Sequence, residues 1–314
     1  MLRGPLAASS FRGHFSGHET FPLRHLWLRK AYDEVVKRDR AAPRGLFSDA
    51  DSIVVFGVGK NMATSIRHWA LACEIIFDDY DVYRPTRLGD YLFDEREGRD
   101  PFMEHPATAW LIQWMIAGRP ERTTTWFYAF NHFNAQTFDR AALAKPIGEL
   151  CAEQKWSRTS VATIKRDVEC FIRSYVPSSD AKFSDDAVEP VLAELGLIRP
   201  SGGKSFEFRR GPKPSLPDGV FLFALDDFWA RQAPGQKTLS VENLSFEPGS
   251  PGRVFKLDER SLVERLSRVE ECSEGRFLWS DTAGVRSVAR RSESVHPLEL
   301  LELDYNRAGR RSAA

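Results

Sequence analysis

The sequence predicts an α+β, mainly helical fold, built from tandem winged helix-turn-helix-like units with a smaller C-terminal α/β region. Three observations predict it. Met62, Ile66, Trp69, Cys73 and Ile76 form an apolar stripe at helical spacing, and a basic extended segment, Tyr83-Arg84-Pro85, follows closely. A second stripe, Val161, Ile164, Val168 and Ile172, is followed downstream by a glycine-turned hairpin pattern from Leu197 to Arg210. The length of 314 residues suits two domains. These are an N-terminal helical, winged-helix domain over 1–176 and a C-terminal domain over 177–314 that begins winged-helix-like and continues with β structure.

The elements follow in order. From Arg24 to Arg44 seven basic residues face three acids, and Leu23, Leu26, Trp27, Ala31, Val35 and Val36 recur at helical spacing. Arg24, Arg29, Lys30, Lys37, Arg38 and Arg40 then fall on the outer face of one helix. The stripe from Met62 leaves Lys60, Asn61, Thr64, Arg67 and His68 outside. Pro85 stops the extended piece that carries Arg84, and Thr86 caps a short helix beginning near Arg87.

Two aromatic-rich helices are expected at 107–117 and 123–133, joined by a turn from Gly118 to Arg122; their rings read as core. Ser157 or Ser160 caps the next helix, where Thr159, Thr163 and Arg166 oppose the apolar face and Lys165 borders it; Arg158, Thr163, Lys165 and Arg166 are candidates to contact DNA. A helix over 185–197 ends at Gly196, after a polar linker from Pro177 to Asp186. Val220 to Leu225 reads as a strand, with Asp226 or Asp227 capping a helix that starts at Phe228. No internal repeat of fixed period is visible.

Composition excludes several classes. Lys+Arg and Asp+Glu both number 44, so the chain is not coated in positive potential and only the distribution of charge informs. No apolar run approaches the length of a membrane span, and the N-terminus lacks the apolar core of a secretory signal, so a cytoplasmic protein is expected. The four cysteines include no C-x-x-C pair, against a zinc finger or disulfide framework. Gly57-Val-Gly-Lys60-Asn61 is not a P-loop, because Val54 and Asn61 stand where a glycine and a magnesium-binding hydroxyl are required. It reads as a turn into the exposed helix.

The most specific string is Phe15-Ser-Gly-His-Glu-Thr-Phe-Pro-Leu-Arg24. His18 beside Glu19 offers a nitrogen and a carboxylate, suited to a divalent ion or to base and acid near a phosphodiester; the same residues also suit a hydrogen-bonded turn. Together with Gly57-Val-Gly-Lys-Asn-Met62, Ser65-Ile-Arg-His-Trp69, Pro85-Thr-Arg-Leu-Gly89, Asp100-Pro101, Pro106-Ala-Thr-Ala-Trp-Leu111 and Thr125-Trp-Phe-Tyr-Ala-Phe-Asn-His-Phe133, the string resembles the bacterial SspB family over roughly 11–175.

The resemblance implies a component of DNA phosphorothioate modification and anti-phage defence that nicks double-stranded DNA with a divalent metal, magnesium or manganese. It also implies three partners of the same system: a cysteine desulfurase, an ATPase and an ATP-pyrophosphatase-like protein. His18 and Glu19 are the motif residues suited to catalysis and metal binding, with Arg24, Lys60 and Arg67 available for phosphate. Two other readings are a non-enzymatic module that recruits the sulfur-transfer machinery, and a transcriptional regulator.

Overall fold

Apolar residues at helical spacing, cut by glycine turns and side-chain caps, give short helices and small antiparallel sheets rather than one large sheet. The structure is a computed structural model describing residues 2–156, 159–177, 190–291 and 296–311. It opens with α1 (Trp27–Val36), β1 (Ala42–Pro43), α2 (Ser52–Phe56), α3 (Lys60–Ala72), β2 (Ile76–Asp79) and β3 (Val82–Pro85). Gly57 closes α2 in the left-handed region and Gly59 opens α3, so the glycines make the turn between two helices. Thr86 caps α4 (Arg87–Phe93), its hydroxyl accepting the Gly89 N–H at 2.9 Å. α5 (Pro106–Ala117) follows, buried on every side after its first turn.

The middle of the chain holds α6 (Thr124–Asn131), β4 (Thr137–Phe138), α7 (Arg140–Glu153), α8 (Val161–Tyr175), β5 (Ile198–Pro200) and β6 (Phe206–Phe208). Ser160 caps α8 through Thr163 N–H at 3.0 Å; Ser157 lies outside the described residues. The C-terminal part holds α9 (Asp218–Gln232), β7 (Thr238–Ser240), α10 (Val241–Phe246), α11 (Pro251–Val254), α12 (Glu259–Leu266), α13 (Val269–Cys272), β8 (Phe277–Thr282), β9 (Val285–Arg290) and α14 (Glu302–Arg311).

One order of elements therefore recurs among the described residues: a helix, a strand, a helical segment, then a hairpin. The helical segment is the pair α2 and α3 in the first unit, the pair α7 and α8 in the second, and the four short helices α10 to α13 in the third. Each sheet is antiparallel, and its strands lie in the same order: β1-β3-β2, β4-β6-β5 and β7-β9-β8. The C-terminal sheet is thus antiparallel, and the molecule is α+β and mainly helical. A repeat of topology exists where no repeat of sequence period does.

Buried amides join the three units. Gln113 of α5 accepts the Tyr175 hydroxyl at 2.5 Å and donates to Val254 O at 3.0 Å, so α8 and α11 meet on one side chain. Asn131 donates to Ala117 O at 2.8 Å and accepts the Gly249 N–H at 2.8 Å. Each buried amide finds partners, as burial requires. The tryptophans Trp69, Trp110, Trp114 and Trp126 lie in one continuous core that runs from Leu6 to Tyr305.

Two sequence expectations are corrected. Val220 to Leu225 is helical, inside α9, and Asp226 and Asp227 sit within that helix instead of capping one. The run is apolar because α9 is surrounded by protein, and an all-apolar stretch has no period to separate strand from helix. The helix expected at 185–197 is, where described, a single 3-10 turn, Ala193–Leu195, with Gly196 in the left-handed conformation. The linker from Pro177 to Asp186 lies, apart from Pro177, outside the described residues.

Candidate nucleic-acid interface

The segment His14 to Thr20 crosses from α8 to α3. His18 is fully buried, and both of its ring nitrogens are engaged. The Thr20 N–H donates to Nδ1 at 3.0 Å, so the proton sits on Nε2 and is donated to Asp167 Oδ1 at 2.6 Å. The same oxygen accepts the Ser16 N–H at 2.7 Å. Asp167 belongs to α8 and is itself buried. On the other side the His18 ring packs against His68 and Trp69 of α3, at centroid separations of 5.7 and 6.1 Å. One imidazole thus ties two helices that belong to different units.

The turn is paid for in backbone strain: Ser16, Glu19 and Thr20 all have φ between +47° and +68°. Gly17 has no alternative, since a Cβ there would lie 2.5 Å from His68 Nδ1 and 2.7 Å from His14 Nε2. The His14 and His68 rings stack at 5.7 Å. Burial holds the His68 imidazole well below the ordinary histidine value, and the neighbouring His18, His14, Arg122 and Arg67 push the same way. Burial and then Arg122 lower His14. Among the described residues His68 Nε2 has no hydrogen-bond partner.

His68 is therefore not on the exposed face of α3, as the sequence pattern implied. At its position the helix turns toward the His14–Thr20 segment, which covers it. Glu19 does reach solvent. As a metal pair His18 and Glu19 do not fit: the Thr20 amide occupies the lone pair that a cation would take, and the other nitrogen is committed to Asp167. Among the described residues no group of three or more His, Cys, Asp or Glu side chains is arranged to hold a metal ion.

The cations separate into paired and unpaired sets. Arg29 binds Asp33 at 2.6 Å, Lys37 and Arg38 share Glu34, and Arg40 reaches Asp90 at 2.6 Å. Lys30 donates to Phe56 O at 3.2 Å, and Arg24 stacks over Phe21 and Trp27. Arg84 binds Asp79 at 2.5 Å on a hairpin whose turn carries Asp81, so the expected basic wing is acidic at its tip. By contrast, Lys60 and Asn61 are exposed and Arg67 and Thr64 half-buried on α3, a helix with no acidic residue. Lys60 and Arg67, with Arg87, Lys165 and Arg166, have no carboxylate in ion-pair reach among the described residues. Thr163 hydrogen-bonds Ser160 within the α8 cap. Arg158 lies outside the described residues.

Sequence reasoning missed Asp167, His14 and Gly17. Gly17 stands in the motif string and His14 immediately before it, but Asp167 is 149 residues from its partner, and only its place among the apolar positions of α8 marked it as buried.

Three comparisons bear on this arrangement. A family model described as "Protein of unknown function (DUF4007)" matches residues 15–305. No curated protein matches the chain. Among solved structures, a magnesium ion-bound SspB crystal structure is similar with a TM-score of 0.82 and 28% identity, over 93% of this chain and 88% of that one. A second SspB crystal structure gives 0.81 and 29% over the same shares. The chain belongs to the DUF4007 family, and it is similar in fold to SspB over most of its length.

Proposed function

We propose that this protein is the DNA-binding and DNA-nicking component of a phosphorothioate modification system, acting on double-stranded DNA. The observation that carries the reading is α3: exposed Lys60 and Asn61, with Thr64 and Arg67 beside them, on a helix that has no acidic residue and, among the described residues, no ion pair. The element order of the first two units, a helix, a strand, two helices and a hairpin, supports a winged helix-turn-helix reading, in which the helix before the hairpin is the one that enters a groove. α3 and α8 hold that place in the first two units, and the His18–Asp167 bond fixes one against the other. Relatedness to SspB supports the modification system, and with it the desulfurase, ATPase and ATP-pyrophosphatase-like partners.

Nicking needs an activated water and a stabilised pentacovalent phosphate, which a divalent ion can supply. One SspB structure contains magnesium, so the cation is the first variable to test. No ligand set is assigned to it, because His18 is closed on both nitrogens. In this reading Glu19 is the exposed carboxylate of the motif, and His18 is a positioning residue. The same closure of His18 favours a second reading, a module that binds DNA and recruits the sulfur-transfer enzymes without cutting it.

Incubation of supercoiled plasmid with the protein and magnesium, manganese or EDTA distinguishes the two. Open-circular product that needs the metal and disappears in Glu19→Gln, with DNA binding retained, is the expected result. Retained binding with no nick under either metal establishes the recruiting module.

A further inference from the structure

We propose that Arg209, Arg210 and Arg253, at the base of the β5–β6 hairpin, form a second contact site for the phosphodiester backbone of DNA, separate from the α3 face. The inference rests on the DNA-binding reading and adds a place to it.

The chain leaves β6 through Arg209-Arg210-Gly211-Pro212-Lys213, and this loop is built around buried ammonium groups. Lys213 Nζ donates to the carbonyls of Arg209 at 3.0 Å, Gly211 at 2.9 Å and Lys256 at 3.3 Å. Lys256 Nζ donates to Phe130 O at 2.7 Å and lies 4.3 Å from the Phe208 ring centre. Arg253 reaches only neutral acceptors, Phe246 O and Asn134 Oδ1, each at 3.2 Å. Arg209 and Arg210 are exposed.

None of these five cations has a carboxylate within ion-pair distance among the described residues, unlike Arg29, Lys37, Arg38, Arg40 and Arg84. Two acids lie nearby, and both are used elsewhere. Asp258 caps α12 through Ser261 N–H at 2.8 Å, and Glu247 faces Arg3 at 3.8 Å. The crowding registers on the buried members: burial and the surrounding arginines lower Lys213 to about 8 and hold Lys256 well below the usual lysine range. In a chain whose charges sum to zero, the three arginines grouped over these buried lysines, with no carboxylate in ion-pair reach among the described residues, call for an external anion. Guanidinium groups match the paired oxygens of a phosphodiester, and a hairpin beside the α7–α8 pair is suitably placed to meet the backbone flanking a groove.

The test is duplex DNA affinity across a salt series for the wild type and three variants. Arg209→Ala/Arg210→Ala removes exposed side chains, so the melting temperature is expected to hold. Arg199→Ala removes an arginine of the same hairpin that is already paired with Glu207. Lys60→Ala/Arg67→Ala reports on α3. The proposal expects the Arg209/Arg210 variant to lose about 2 units of log–log salt slope, at about 0.9 per phosphate contact, and about tenfold or more in affinity at low salt. Arg199→Ala leaves both unchanged. An unaltered slope in the Arg209/Arg210 variant, with a loss in the Lys60/Arg67 variant, overturns the site and leaves the DNA reading standing. No salt-dependent binding by the wild type overturns both. Variant-sensitive binding to polyglutamate without any change in DNA slope assigns the patch to an acidic protein and also overturns the proposal.

Discussion

At the residue scale, His18 and Asp167 carry the most structure for their size. Oδ1 of Asp167 accepts two N–H groups in a site with almost no water access. Asp167→Ala leaves both donors unsatisfied and is expected to cost about 3 kcal/mol, measured by urea denaturation. His132 gives a pH signature. Burial and then Arg253 lower it to about 4 from an ordinary 6.5, and its buried Nε2 has no partner. Between those values the unfolded chain binds more protons than the folded one, so stability present near neutrality is lost as the pH falls from 6.5 toward 4. His68 acts in the same direction. His132→Phe, which cannot protonate, is expected to flatten part of the fall in melting temperature over that range. The sequence made the motif string legible as special, because His18, Glu19 and three small residues cluster there. It did not show that His18 is closed, since Thr20 and Asp167 act on it through folding, one by a left-handed turn and the other across most of two units.

At the scale of elements, helices with one apolar stripe were legible and helices buried all round were not. α3 and α8 show their period, and Thr86 and Ser160 cap where a local hydroxyl predicts. α9 shows neither signal. Its cap comes from Asp304 of α14, whose carboxylate accepts the Gly219 and Val220 N–H groups at 3.0 and 2.8 Å from a position 85 residues away. A carboxylate there also complements the positive end of the helix. Asp304→Ala is expected to lower stability by about 1–2 kcal/mol, the size of a lost cap, which a guanidine titration checks. The β5–β6 hairpin was legible from its glycine turn, whereas the β2–β3 hairpin was seen only as its second strand, because Ile76 continues the apolar period of α3 and the Tyr80-Asp81 turn carries no glycine or proline.

At the scale of the whole molecule, the recurring order of helix, strand, helical segment and hairpin could not be read from a period, because the loops and the helical segments differ in length between the units. Long-range polar contacts hold the units together. Arg119 bridges Glu74, at the end of α3, to Asp227 of α9 at 2.8 Å, and the Trp114 indole donates to the same carboxylate at 2.8 Å. A rigid frame of this kind fixes the distance between α3, α8 and the β5–β6 hairpin, so that unpaired cations on different units can act on one ligand. Neutral overall charge is compatible with that role, since paired arginines contribute little to the outer field and the unpaired ones are grouped. The most direct measurement is the affinity of the intact protein for a short duplex as salt is raised. The account predicts that log K falls linearly with log salt, with a slope that Lys60→Ala/Arg67→Ala makes shallower. Affinity indifferent to salt, or no binding at low salt, would contradict it.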